Sequence, residues 1–426
     1  MNRTRAARGL ALVALVVVSV VGPTVGLAAA NEQQRTTSSP LSEMEGSGTP
    51  RDPYVITTVE QLQAMNEDLT AHYALGSDID ASVTETWNAG NGFDPVGGEN
   101  GAFRGSFDGN GRALSELTIV RPQAANVGLF GLTTGTVQNV SLRDVTVNGN
   151  QNIGALAGVN SGSITGSSAT GTLRATGSNV GGLVGVNDGQ IVASYADASV
   201  AGSEVVGGLA GASNGPIRGS YATGTVGATR TAGGLVGANS NAVTASYATA
   251  TVDVDQVAGG LVGTNSGTIR TSFAASEVDG NATVGGIAGT NGNSIVGQTY
   301  WDEGVAEVND SAGDGAGIGT ALSTAELTGE GALSSLDGFD AANIWTTTEE
   351  YPVHQWERPA VDPLDQWQVP TPTAAPPTPT QTPTAAPTPS PTPTSSGGAF
   401  AVGPGFGPVA VLVAVAALAV LAVRRP

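Results

Sequence analysis

Few residues in this chain could do chemistry, and their spacing decides which chemistry is open to them. His72 and His354 are the only histidines, and there is no cysteine. A zinc peptidase site needs His-Glu-x-x-His, with two histidines one helical turn apart, and these two are far too distant in sequence. All 16 basic residues are arginine. A lyase acting on acidic polysaccharides needs a basic group to remove a proton, and usually calcium to hold the uronate. Arg143, Arg174, Arg218, Arg230 and Arg270 are scattered, and only Arg218 and Arg270 share a repeat position. A glycoside hydrolase needs carboxylates paired at a set separation. Asp188, Asp197, Glu204, Asp253, Asp255, Glu277 and Asp279 read as falling at different phases of the sequence repeat, as solvated charge does. One loop gathers Asp302, Glu303, Glu307, Asp310 and Asp314, hard oxygen ligands of the kind calcium takes, but in no EF-hand spacing. Asn139, Asn281 and Asn309 open Asn-x-Ser/Thr sequons. The expectation is no catalytic residue, no metal site and no cofactor.

The elements that carry these residues differ sharply along the chain. The net charge is −20 over 426 residues. That excludes a nucleic-acid partner, because phosphates must be met by cations. Strong salt screening would relieve the self-repulsion, so the composition fits a salt-loving organism; an ordinary acidic secreted protein is the other reading. Arg3, Arg5 and Arg8 precede the apolar run Leu10 to Val21, and Ala28, Ala29 and Ala30 follow. This is the pattern of a secretory signal peptide, residues 1–30, cut after Ala30. Its apolar run is shorter than the roughly 20 residues that span a bilayer. Residues 31–45 read as a flexible N-terminus. Residues 359–402 form a stalk whose Pro/Thr-rich stretch, 370–398, favours a polyproline II rod of about 90 Å. Residues 406–423 are apolar and end at Arg424 and Arg425. As a helix this segment is about 27 Å long, enough for the hydrocarbon core, with the arginines inside.

Between these ends the chain repeats itself. Leu129, Leu156, Leu183, Leu209, Leu235, Leu261 and Ile287 follow one another at intervals of 26 or 27 residues. Val137, Ile164, Ile191, Ile217, Val243, Ile269 and Ile295 do the same, as do Tyr195, Tyr221, Tyr247, Phe273 and Tyr300. No helical period is visible, and each unit holds three short β-like pieces punctuated by Gly and Asn. A strict period of this kind predicts a repeat architecture. Three short strands per unit suit one coil of a parallel β-helix, in which equivalent residues stack at about 4.8 Å. Leu183, Leu209, Leu235, Leu261 and Ile287 are then a core ladder. Parity puts Ile191, Ala193 and Tyr195 on one face, so the aromatic ladder should point inward unless a bulge flips it. Asn160, Asn187, Asn239, Asn265 and Asn291, with Ser213 once, should hydrogen-bond along the rod. Thr58 and Gln61 fit a capping box before a helix covering the first coil. The segment 103–120 reads as strand, tight turn and strand. Ser323 to Leu336 should hold a second capping helix, interrupted near Gly329 and Gly331, and 344–356 should lay its aromatics over the last coil.

The phrase Val-Gly-Gly-Leu-Val-Gly-x-Asn-x-Gly-x-Ile-x-x-Ser-Tyr-Ala resembles the GLUG motif, over about residues 125–300. That motif is found in bacterial and archaeal surface proteins, including haemagglutinin-like adhesins, and beside the catalytic part of immunoglobulin-A-type metallopeptidases. Two early units depart from it: Val-Gly-Leu-Phe-Gly has one glycine where later units have two, and Ala155 intrudes in the next. The C-terminal sequence Pro404, Gly405, Phe406, an apolar helix and a basic tail resembles the PGF-CTERM sorting signal of archaeal surface proteins. That resemblance gives residues 403–426 as the sorting signal and implies an archaeosortase that removes its helix and a lipid anchor in the helix's place; a plain transmembrane anchor is the alternative. Together they imply an all-β, right-handed parallel β-helix with about 26 residues per coil and short capping helices. Residues 46–124 would be the N-terminal cap and first coils, 125–300 the repeat β-helix, and 301–358 the C-terminal cap. The implied role is that of a non-catalytic haloarchaeal surface protein. It would be anchored to the cytoplasmic membrane and serve in adhesion or in the surface layer, with a glycan or protein as extracellular ligand. A polysaccharide-degrading lyase or hydrolase on the same fold is the rival.

Overall fold

The computed structural model describes residues 39–98, 101–292 and 296–358. The signal cleavage site at Ala30, the stalk, and the sorting motif at Pro404, Gly405 and Phe406 lie outside the described residues. Among those residues, no helix is long and apolar enough to cross a membrane.

The chain winds into a parallel β-helix. Each lap contributes short strands to parallel sheets, and equivalent residues of successive laps pair in register: Ile191 with Ile217, Tyr195 with Tyr221, Asn239 with Asn265. Where the sequence suggested three β pieces per unit, a typical lap has four: Gln190–Val192, Tyr195–Gly202, Val205–Gly207 and Ala210–Ser213. The extra break is a corner between residues 192 and 195.

Leu183, Leu209, Leu235, Leu261 and Ile287 are all fully buried. They occupy the bend of the Gly-Gly-Leu phrase, and the laps touch there directly. Leu235 N–H donates to Leu261 C=O at 2.8 Å, and Leu261 N–H to Ile287 C=O at 2.9 Å. The glycines exist because backbone passes backbone at this bend. A Cβ on Gly208 would lie 2.1 Å from Gly234 C=O. A side chain on Gly208 would force the neighbouring lap to shift.

In the Val/Ile ladder Ile269 pairs with Val296, 27 residues on, and Ile295 lies outside the described residues.

The N-terminal segment completes the rod. Tyr54–Ile56 pairs with His72–Leu75, which pairs with Ser106–Asp108, which pairs with Thr136–Gln138 of the first repeat. Strands 106–108 and 113–115 do not pair with each other across their turn; they belong to one lap, and each pairs in parallel with the laps before and after it. The helix Val59–Ala64 begins at Thr58, where Gln61 N–H donates to Thr58 Oγ1 (3.3 Å) and Thr58 N–H to Gln61 Oε1 (3.2 Å). Its Val59 and Leu62 are buried in the main core.

Candidate functional site

The aromatic ladder lies on the outside of the rod. At the corner of each lap from residue 136 onward one residue takes the left-handed backbone region: Asn139, Gly166, Ala193, Gly219, Ala245, Thr271 and Gln298, with φ between 45° and 58°. That single residue reverses the alternation of faces. The following serine, Ser194, Ser220, Ser246 or Ser272, is turned inward and wholly buried. Each of these hydroxyls donates to the carbonyl two residues earlier, as from Ser194 to Val192 (2.8 Å). Each also accepts the N–H of the serine one lap before, as from Ser194 to Ser220 Oγ (3.2 Å). The tyrosine is therefore turned outward, and the alanine after it, Ala196, Ala222, Ala248 or Ala274, is turned into the core. Parity alone placed Tyr195, Tyr221, Tyr247, Phe273 and Tyr300 inside; the left-handed corner puts them outside.

Four of these rings form a column. Tyr195 and Tyr221 stack at 4.8 Å and 1°, Tyr221 and Tyr247 at 4.8 Å and 4°, and Tyr247 and Phe273 at 5.0 Å and 0°. Parallel rings at this centroid separation stack with an offset, an arrangement aromatic pairs favour. Here the strand spacing imposes it. Tyr300 leaves the column and meets Phe339 edge-on at 5.7 Å.

The segment 323–358 covers this column as a strap along the flank, where the sequence placed its aromatics over the last coil alone. Its helices Thr324–Leu327 and Ala332–Ser335 bury Leu327 and Ala332, and Leu327 packs with the outer aromatic cluster. Trp345 lies against Phe273 and Tyr247, and Trp356 against Tyr221 and Tyr195, several laps back. Val192, which parity left facing water, is 7% exposed beneath Trp356. His354 is buried between Trp345 (4.5 Å) and Trp356 (5.5 Å). Its Nε2 sits 2.8 Å from Ala245 C=O, and its Nδ1 sits 2.9 Å from Glu357 Oε1. Glu357 Oε2 accepts the hydroxyl of Tyr247 at 2.9 Å. Burial, and then the Glu357 charge, push the Tyr221 and Tyr247 phenols well above the ordinary tyrosine range. His354 is thus a clamp between strap and rod. His72, the other histidine, meets Ser106 Oγ at 2.7 Å.

The remaining candidates are dispersed. In the loop 302–317, Asp302 is fully buried and answers protein donors. Its Oδ1 accepts Gly304 N–H (2.9 Å), Val305 N–H (3.1 Å) and Thr324 Oγ1 (2.9 Å); its Oδ2 accepts the Tyr351 hydroxyl (2.7 Å). That pins the strap to the last lap. Glu303, Glu307, Asp310 and Asp314 are exposed. Among the described residues, no three His, Asp or Glu side chains come together as metal ligands would. Arg218 and Arg270 are exposed with Thr244 between them in the column, and Arg230 pairs with Glu204 at 2.6 Å. The acids do not all differ in phase: Asp253 pairs directly with Asp279. Like charges so placed repel, and salt relieves them. Glu85, Glu116 and Asp144 line an open groove near the N-terminal end. The Asn ladder runs inside the rod. Asn160 donates to Asn187 Oδ1 (2.7 Å), Asn187 to Ser213 Oγ (3.1 Å), Asn239 to Asn265 Oδ1 (2.9 Å) and Asn265 to Asn291 Oδ1 (3.0 Å). A second ladder, Asn126–Asn152–Asn179, was missed, although three asparagines 26 and 27 residues apart signal it.

Known proteins share parts of this chain. No protein-family model matches it. Halomucin of Haloquadratum walsbyi is 42% identical over 138 residues, which is 31% of this chain and 2% of Halomucin. A Gly-rich membrane protein of Evansella cellulosilytica is 35% identical over 126 residues, 28% of this chain and 14% of that protein. The chain therefore spans only a small fraction of either relative. A solved structure from Bacteroides ovatus, described as an immunoglobulin A1 protease, superposes with a TM-score of 0.51 at 23% identity, covering 74% of this chain and 95% of that one. At that identity the likeness is one of fold.

Proposed function

We propose that this is an exported β-helical surface protein of a haloarchaeon, held at the cytoplasmic membrane, that acts by binding or by structural support and not by catalysis. The observation that carries the reading is the 42% identity to a stretch of Halomucin, joined to a lysine-free chain of net charge −20. The name of the second relative, a membrane protein, points the same way. The repeat's resemblance to the GLUG motif supports adhesion or surface-layer association, with an extracellular glycan or protein as ligand. The Pro404-Gly405-Phe406 ending supports sorting by an archaeosortase and attachment to lipid. Mass spectrometry of the mature protein from envelopes tests this. A C-terminal peptide ending near Pro404 is expected, and an intact Val423–Arg424 peptide would leave a membrane span instead.

A second reading rests on the groove of Glu85, Glu116 and Asp144, three carboxylates on one surface. A polysaccharide-degrading enzyme would release fragments from acidic polysaccharide, and Glu116→Gln would abolish that release. No fragments from the wild-type chain are expected.

A further inference from the structure

We propose that Asn281 and Asn309 carry N-linked glycans and that Asn139 does not; this rests on the reading that the chain is exported. All three match Asn-x-Ser/Thr, as Asn-Val-Ser at 139, Asn-Ala-Thr at 281 and Asn-Asp-Ser at 309, and the fold separates them. In glycan transfer, Asn Nδ2 attacks C1 of an oligosaccharide carried on a lipid phosphate. The N–C1 bond forms, the C1–O bond breaks, the lipid phosphate leaves with the bonding pair, and Nδ2 gives up a proton. The transferase must hold the sequon in its own cleft, so the sequon has to sit on a surface loop.

Asn139 cannot be offered in this way. It is one of the left-handed corner residues, φ 54°, between two strands in the middle of the rod. Its N–H donates to Thr165 C=O (3.0 Å) one lap on, and its C=O accepts Gly111 N–H (3.2 Å) one lap back. Its Nδ2 donates to Asp108 Oδ1 at 3.3 Å, so the nucleophile itself is engaged. Freeing it means opening neighbouring laps on both sides.

Asn281 is exposed in the short turn between strands Glu277–Gly280 and Thr283–Gly285. Asn309 is exposed in the loop between the helix Glu303–Ala306 and the strand Ala312–Gly315. Neither side-chain amide has a partner among the described residues. The two belong to adjacent laps, and Gly280, Ala282, Asn309 and Asp310 line one open groove. This corner lies where the sheets end. Thr283–Gly285 pairs only with Val257–Gly259, and Ala312–Gly315 only with Ala288–Asn291, among the described residues. Such edges are templates for pairing with another chain. A bulky, solubilising glycan on each neighbouring loop would bar that approach.

The full chain is expressed with its leader in an N-glycosylating haloarchaeal host and purified from envelopes. It is then digested at Asp and Glu, and the intact glycopeptides are read by mass spectrometry. Glycan mass is expected on Asn281 and Asn309. Asn281→Gln and Asn309→Gln should each remove one glycan, and Asn139→Gln none. A glycan on Asn139 overturns the proposal. So does a bare amide at Asn281 or Asn309 in mature chain beginning near Asn31, from cells whose own surface proteins are glycosylated. Chain kept inside the cell with its leader uncut overturns the export reading, and the proposal with it.

Discussion

Two ladders share one period in the repeat part of this rod, and they are held in different ways. The Leu183–Ile287 ladder is enclosed by its own laps: neighbours one turn before and after bury it, and backbone hydrogen bonds join the laps at the same residues. The Tyr195–Phe273 column is made by the same winding but is enclosed by Trp345, His354 and Trp356, from a segment roughly a hundred residues further on. The first belongs to the repeat, and the second belongs to the strap. A conserved interval in a sequence shows that residues stack; it does not show on which side of the wall.

That contrast can be broken in graded steps. Leu235→Ala should cost about 4 kcal/mol, because it empties a closed interior that cannot collapse without parting laps. Denaturant unfolding should show the loss in a single transition shared by neighbouring coils. Trp356→Ala should cost about 3 kcal/mol, but in a different manner. Near-ultraviolet circular dichroism should lose aromatic signal while the far-ultraviolet β signal stays, since the strap loosens over an intact rod.

Alkali should also act on the outer ladder. Half-buried Tyr221 and buried Tyr247, both facing Glu357, hold their protons above the ordinary value, and so does Tyr351, by burial and its bond to Asp302. The folded chain thus keeps protons that the unfolded chain gives up near pH 10. The stability this confers is whole below that value and drains away as pH climbs through the folded range. Phenolate absorbance should therefore appear in two stages, with these tyrosines ionising only as the strap or rod opens.

Smaller changes probe the corner. Thr271 is a β-branched residue in the left-handed region, φ 45°. Thr271→Gly should stabilise by about 1 kcal/mol, and Gly219→Ala, at the same corner, should destabilise by a similar amount. Smallest of all, Ser213→Asn should add about 0.5 to 1 kcal/mol, by joining the Asn160–Asn187 and Asn239–Asn291 runs that Ser213 interrupts. Thermal unfolding would register each.

The winding was legible because the period is strict and the glycines of Gly-Gly-Leu have a steric reason that repeats. The Asn ladder was legible for the same reason. The face of the tyrosines was not, because the deciding residue is Asn139, Gly166, Ala193, Gly219, Ala245, Thr271 or Gln298. Only some of these types favour positive φ, so composition hides the common backbone state. The strap was illegible too: nothing in Trp345 or Trp356 names the laps they reach. The buried role of Asp302 was hidden inside what read as an acidic loop, because its partners Thr324 and Tyr351 are distant in sequence.

The chain has no cysteine, which allows a clean test of the reversed faces. A thiol introduced at Tyr195→Cys, or at Ala196→Cys one residue later, can be timed with a small thiol reagent in native buffer. Tyr195 is half-buried at the outer face and Ala196 is fully enclosed. Fast labelling at 195, with 196 unreactive until denaturant is added, is the predicted result. Fast labelling at 196 with protection at 195 would restore simple alternation and contradict the account.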